Sequence, residues 1–116
     1  MNMKYCHGFF LSVFIIVAPS GGLLSGQTIQ AEIDTLWQRY RAQTEVYAKI
    51  DLLNDISYAY RRLNPDSVLK YAEQALEWAG KIDYTAGMAY AYKNKGIANY
   101  KLGSDPDTTI GYYQKA

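Results

Sequence analysis

One helical phrase is written twice in this chain. Leu53-Asn54-Asp55-Ile56-Ser57-Tyr58-Ala59-Tyr60-Arg61-Arg62-Leu63 is echoed by Tyr92-Lys93-Asn94-Lys95-Gly96-Ile97-Ala98-Asn99-Tyr100-Lys101-Leu102. Each copy leads through a turn into a second helical run, which reaches Glu73-Gln74-Ala75 in the first unit and Gln114-Lys115-Ala116 in the second. A period of roughly forty residues with two helices per period predicts an all-α solenoid of antiparallel helical hairpins, because a lone hairpin leaves an apolar face that only a neighbouring hairpin buries. Such an architecture favours a scaffold or recognition surface over an enzyme.

The first part of the chain stands outside that pattern. Lys4 precedes the apolar run Phe9-Phe10-Leu11-Ser12-Val13-Phe14-Ile15-Ile16-Val17-Ala18, which is short for a bilayer span, and Ser25-Gly26 supply small residues before Gln27. Residues 1–26 therefore read as a secretory signal peptide, with a retained membrane anchor as the alternative because Leu24 suits a cleavage site poorly. The expected location is the periplasm or the outer face of the cell envelope. Cys6 lies ahead of the apolar run, so it is not placed to receive a lipid after processing.

Processing there removes the single His and the single Cys. The remainder has no thiolate or imidazole for a zinc site, a His-assisted nucleophile or a disulfide framework. It also loses Lys4, so eleven Lys and Arg stand against eleven Asp and Glu, a balance that leaves no polybasic footprint for nucleic acid. No cofactor is expected. The carboxylates do not suggest catalysis: Glu73 and Glu77 lie one turn apart with Lys81 a turn further on, a surface pattern, and Asp105 and Asp107 flank Pro106 as helix-capping groups.

The predicted segments are an opening helix over 27–47, a first hairpin over 48–82 and a second, incomplete one over 83–116. Ile29, Ile33, Leu36, Trp37 and Tyr40 give the first segment helical spacing, and no Gly or Pro marks its end between 27 and 63. Asn64-Pro65-Asp66 is a clean break: Asn caps, Pro fits the first turn, and Asp adds negative charge at the positive helix end. Val68, Leu69, Ala72, Ala75, Leu76 and Ala79 follow as an apolar stripe that closes near Gly80 or Lys81. Gly87 and Gly96 each cost about 1 kcal/mol relative to Ala inside a helix. Gly96 falls where Ser57 falls in the first copy, so small side chains there predict close helix approach. Ala116 ends the sequence in mid-helix, which reads as a solenoid truncated after about two repeats.

The two units resemble the tetratricopeptide repeat family. Leu53, Ser57, Tyr60, Leu63, Val68, Ala72 and Ala75 carry the likeness in the first, and Tyr92, Gly96, Leu102, Gly103, Thr109, Tyr113 and Ala116 in the second. Lys95 and Asn99 replace the preferred Leu and Tyr, Thr109 replaces Ala, and Ser57 and Gly96 are 39 positions apart where the family repeat is about 34. Leu53–Tyr58, Pro65-Asp66-Ser67 and Ala91–Ala98 also resemble exported tetratricopeptide regions of Bacteroidota signalling proteins.

The resemblance implies that the first helix of each hairpin lines a groove for a protein or peptide. Carried across, the groove positions are Asp51, Asn54, Tyr58, Arg61, Tyr90, Lys93, Asn94, Ile97 and Tyr100. Tyrosines there offer rigid contact area, asparagines pair with an extended backbone, and Arg61 and Lys93 hold a carboxylate. The Lys-and-Asn clamp that some members use for a C-terminal carboxylate is not reproduced, since Asp55 and Tyr58 intrude. Tyr60, Tyr92 and Tyr113 are expected in the core, and Tyr58, Tyr90 and Tyr112 at the surface. Arg39, Arg41, Arg61 and Arg62 are balanced by Glu32, Asp34, Glu45 and Asp55 and read as a solvated helix face. The alternative function is a structural spacer or a homodimerisation domain, motivated by an apolar edge at Ile110 and Tyr113.

Overall fold

The Asn64-Pro65 break and the alanine stripe behind it organise the molecule, seen in a computed structural model that describes residues 24–103 and 106–116. The described residues are all-α. Helix α1 spans Leu24–Ala42, α2 Val46–Ala59, α3 Pro65–Lys81, α4 Thr85–Lys101 and α5 Pro106–Lys115, with a 3-10 turn over Tyr60–Arg62 prolonging α2. None of these helices is long and apolar enough to cross a membrane. Positions 1–23 of the expected leader lie outside the described residues, as do Ser104 and Asp105 of the last loop.

The opening helix ends earlier than its apolar spacing suggests. It stops at Ala42, and side-chain capping replaces the missing Gly or Pro: the Gln43 amide oxygen accepts from the Thr44 and Glu45 N–H groups, and the Glu45 carboxylate accepts from Ala48 N–H at 2.9 Å. These bonds satisfy donors that a helix start leaves open.

Asn64 behaves as its sequence context predicts. Its Oδ1 accepts from the N–H groups of Asp66 and Ser67, with Pro65 in the first turn of α3. Val68, Ala72, Ala75 and Ala79 are all fully buried, a spacing of four, three and four that lays small side chains along one stripe. That stripe lets α3 pack against both α2 and α4. Ile50, Leu53, Ala75, Ala79 and Ala91 form the shared core, ringed by Trp37, Tyr40, Tyr71, Leu76, Trp78, Ile82, Tyr84 and Met88. Trp37 joins α1 to this core by an edge-on contact with Tyr71 of α3 at 5.2 Å and is flanked within α1 by Tyr40 at 5.3 Å. Helix α5 packs on α4, an arrangement consistent with helical hairpins.

Two small residues sit where the helices of a hairpin meet. Ser57 is buried and donates to the Val68 carbonyl at 2.7 Å, while Gly96 is buried beneath the Tyr113 ring. Tyr113 itself is 45 % exposed rather than core. Its ring rests on Gly96 and stays partly open to solvent. Tyr60 and Tyr92 are half-buried, stacked on Tyr71 and Tyr112 respectively, because an edge-strip aromatic covers the core without entering it.

The link from α3 to α4 is a helix stop built on Asp83, whose φ is +54°. Its N–H bonds to the Gly80 carbonyl and that of Tyr84 to the Ala79 carbonyl at 2.8 Å, the paired bonds of a left-handed C-terminal cap. Glycine fills that conformation without a Cβ penalty. Asp83→Gly is therefore expected to stabilise the fold by about 0.5–1 kcal/mol. Thermal unfolding followed by circular dichroism checks it, and an unchanged or lowered midpoint would show that the aspartate side chain compensates for its backbone.

Candidate functional site: a polar and aromatic cleft between α1, α2 and α4

The open side of α2 is set by the same periodicity that buries Ile50, Leu53 and Ile56 on the other. Asp51, Asp55 and Tyr58 follow at four- and three-residue spacing and stay half-exposed. Together with Glu32 and Leu36 of α1, Ala59, Arg61 and Tyr90 of α4, the Asp55 and Tyr58 side chains line a cleft of about 310 Å³.

Two phenols tie α4 to this face. The Tyr84 hydroxyl donates to Asp51 at 2.8 Å and the Tyr90 hydroxyl to Asp55 at 3.0 Å. Burial pushes the Asp55 carboxyl above its usual range, aided by the nearby Asp51 charge and opposed by the Tyr90 bond and by Arg39. Tyr90 is driven well above the ordinary phenol value, first by burial and then by the Asp55 charge. Tyr84 is raised chiefly by its bond to Asp51. Both phenols therefore keep their protons and remain donors to the carboxylates.

Tyr58 is the aromatic floor of the cleft. The Arg61 guanidinium lies 3.7 Å from the ring centroid and donates to the Tyr58 carbonyl at 2.9 Å, while the Lys93 ammonium stands 5.2 Å from the same ring and 5.5 Å from that of Tyr90. Cations over aromatic faces are held by the ring quadrupole, so two positive groups are kept beside the cleft with no ion pair among the described residues.

Of the nine expected groove residues, Tyr58, Arg61, Tyr90 and Lys93 thus come together, with Asp51 adjacent and engaged by Tyr84. Asn54 and Asn94 do not face a ligand. Both are fully buried: Asn54 Nδ2 donates to the Gly87 carbonyl at 3.1 Å and Asn94 Nδ2 to the Asn54 carbonyl at 3.0 Å. Their amides bond α2 to α4 instead of a peptide backbone, because the close approach at Gly87 puts this helix face inside the interface. Their Oδ1 atoms lack a hydrogen-bond partner among the described residues. Ile97 is half-buried and lines neither cleft.

Tyr100, the last of the nine, is 74 % exposed and belongs to a second cleft of about 520 Å³, formed with Arg61, Arg62, Leu63, Pro65 and Lys101. Sequence reasoning missed Glu32 and Leu36 as cleft residues, and they serve as one wall. It also set Asp55 aside, although its spacing from Asp51 and Tyr58 places it on the same face. Elsewhere Glu77 pairs with Lys81 at 3.5 Å and Glu73 with Lys95 of α4 at 3.6 Å. Among the described residues no group of His, Cys, Asp or Glu is placed to hold a metal ion. Comparison with protein families, curated proteins and solved structures finds no match to this chain.

Proposed function

We propose that the chain is an exported helical-repeat module of tetratricopeptide type that binds a protein or peptide partner in the α1–α2–α4 cleft. One observation carries the reading: a polar cleft whose floor is Tyr58, held rigid by Arg61 and Lys93 on its ring and walled by a Tyr90 that Asp55 fixes in place. Preorganised aromatic side chains lose little conformational freedom when a partner covers them, which is what makes Tyr and Arg strong contributors to interfaces. The duplicated hairpin and the apolar leader support the repeat and export parts of the reading.

Titration of the purified chain with a peptide library is expected to give saturable binding. Tyr58→Ala should weaken it about tenfold to a hundredfold and Lys93→Ala by a smaller factor, with thermal stability retained in both. Binding unaffected by either change, or no saturable ligand at all, would refute the reading.

A second reading, a spacer or homodimerisation domain, rests on the exposed apolar side chains of α5. Ile110 is 51 % and Tyr113 45 % exposed. Sedimentation velocity is expected to show a concentration-dependent dimer that Ile110→Asp disperses. A monomer at high concentration would leave α5 without a role in self-association.

A further inference from the structure

The two clefts share Arg61, and only the first adds carboxylates to it, although Lys93 also stands beside that cleft over the Tyr58 ring. Besides Arg61, the first is lined by the carboxylates Glu32 and Asp55, whereas among the described residues the second is lined by no carboxylate and presents Arg61, Arg62 and Lys101. Sequence position hides this, for Lys101 lies far along the chain from the two arginines, and the fold brings them together where the turn after α2 meets the end of α4. No ion pair within the described residues neutralises these three cations. Basic side chains near helix C-termini complement the helix dipole. That accounts for the charges but not for the bare apolar surface beside them, where Leu63 is 41 % and Tyr100 74 % exposed.

Building on the peptide-binding reading above, we propose that the two clefts form one continuous trough that selects an extended peptide by charge order: a cationic side chain at Glu32 and Asp55, an aromatic or aliphatic residue against Tyr58 or Tyr100, and carboxylates at Arg62 and Lys101. Arg61 marks the crossing point. Its guanidinium lies over the Tyr58 ring and donates to the Tyr58 carbonyl, which holds it between the acidic and the basic half. A uniformly charged peptide meets repulsion in one half, and a peptide of alternating charge meets it in both. A free small anion gains little here, since Arg62, Leu63, Tyr100 and Lys101 are all exposed and cannot exclude water from it.

The test uses fluorescently labelled acetyl-Lys-Lys-Tyr-Gly-Glu-Glu-amide, its alternating isomer Lys-Glu-Tyr-Gly-Lys-Glu, and an all-Glu analogue, read by anisotropy with the full chain at low and at physiological salt. The block peptide is expected to bind about tenfold more tightly than the alternating one, with the gap narrowing as salt rises. R62Q combined with K101Q should remove about tenfold of the block peptide's affinity. E32Q should weaken the block peptide while improving the all-Glu analogue. Equal binding of block and alternating peptides, or a double variant that binds as well as the parent, would overturn the proposal. If a library peptide of other charge order saturates the cleft while the block peptide does not, charge selection fails and the peptide-binding reading survives. If no peptide binds, both fall. Anionic phosphatidylglycerol vesicles provide a third arm: cosedimentation lost in the double variant, without any preference for the block peptide, would assign the basic end to lipid and overturn the proposal.

Discussion

Leu53→Ala is expected to cost about 2–5 kcal/mol, toward the upper end of that range. Leu53 is fully buried where α2, α3 and α4 meet, beside Ile50, Ala75, Ala79 and Ala91. Three of those four neighbours are alanines, which have no longer rotamer with which to fill the space left behind. The helices would have to move together to close the cavity, and the buried Asn54 and Asn94 bonds hold α2 and α4 at their present spacing. Since small domains are stable by only about 5–15 kcal/mol, a loss of this size removes much of the total. Urea denaturation followed by helical circular dichroism measures it. Leu63→Ala, at a 41 % exposed position, serves as the control and should change stability by less than about 1 kcal/mol. A Leu53 variant no less stable than the Leu63 one would mean that the three-helix junction is not the core.

Gly87→Ala and Gly96→Ala are expected to diverge, although both place the same methyl group in the same helix. Each gains about 1 kcal/mol of helix propensity. At Gly87 a Cβ would stand 2.5 Å and 2.8 Å from the Tyr84 ring and 3.1 Å from Ile50 Cγ2. Ile50 is fully buried, and Tyr84 is pinned by its bond to Asp51 and its edge-on contact with Tyr47 at 4.9 Å. Relief therefore requires either breaking that bond or separating α4 from α2, for a net loss of about 1–3 kcal/mol. At Gly96 the nearest atoms to the added Cβ belong to the Tyr113 ring, at 3.1 Å, and a ring that is 45 % exposed has room to tilt outward. Gly96→Ala should fall within about 1 kcal/mol of the parent. Parallel urea titrations decide the matter: equal effects at the two sites would show that the α2–α4 contact is no tighter than the α4–α5 contact.

Local grammar was readable residue by residue. Asn64-Pro65 announced its cap, the Val68-to-Ala79 stripe announced the apolar face of the helix that follows it, and the pairing of Ser57 with Gly96 announced close approach within each hairpin. Each of these depends on neighbours within a turn or two, where backbone sterics and helical periodicity act. The break at Gln43–Glu45 was not readable, because its capping groups are long amide and carboxylate side chains that occur equally often inside helices. In the candidate site, Tyr58, Arg61, Tyr90 and Lys93 followed from groove positions, while the asparagines were placed on the wrong side of a surface. Periodicity assigns residues to a helix face; how far that face is swallowed depends on how closely the next helix approaches.

The sequence by itself determined that the described residues are helical and where most of their helices start, because caps, prolines and apolar spacing act over a few residues. Tertiary structure alone decided which polar side chains are sealed between α2 and α4 and which remain open. It also decided that α1 walls the cleft and that Lys101 joins Arg61 and Arg62. Those outcomes depend on interhelical distance, which is set by side chains tens of positions apart meeting in space, above all the bare backbone at Gly87 that lets α4 settle onto Asn54.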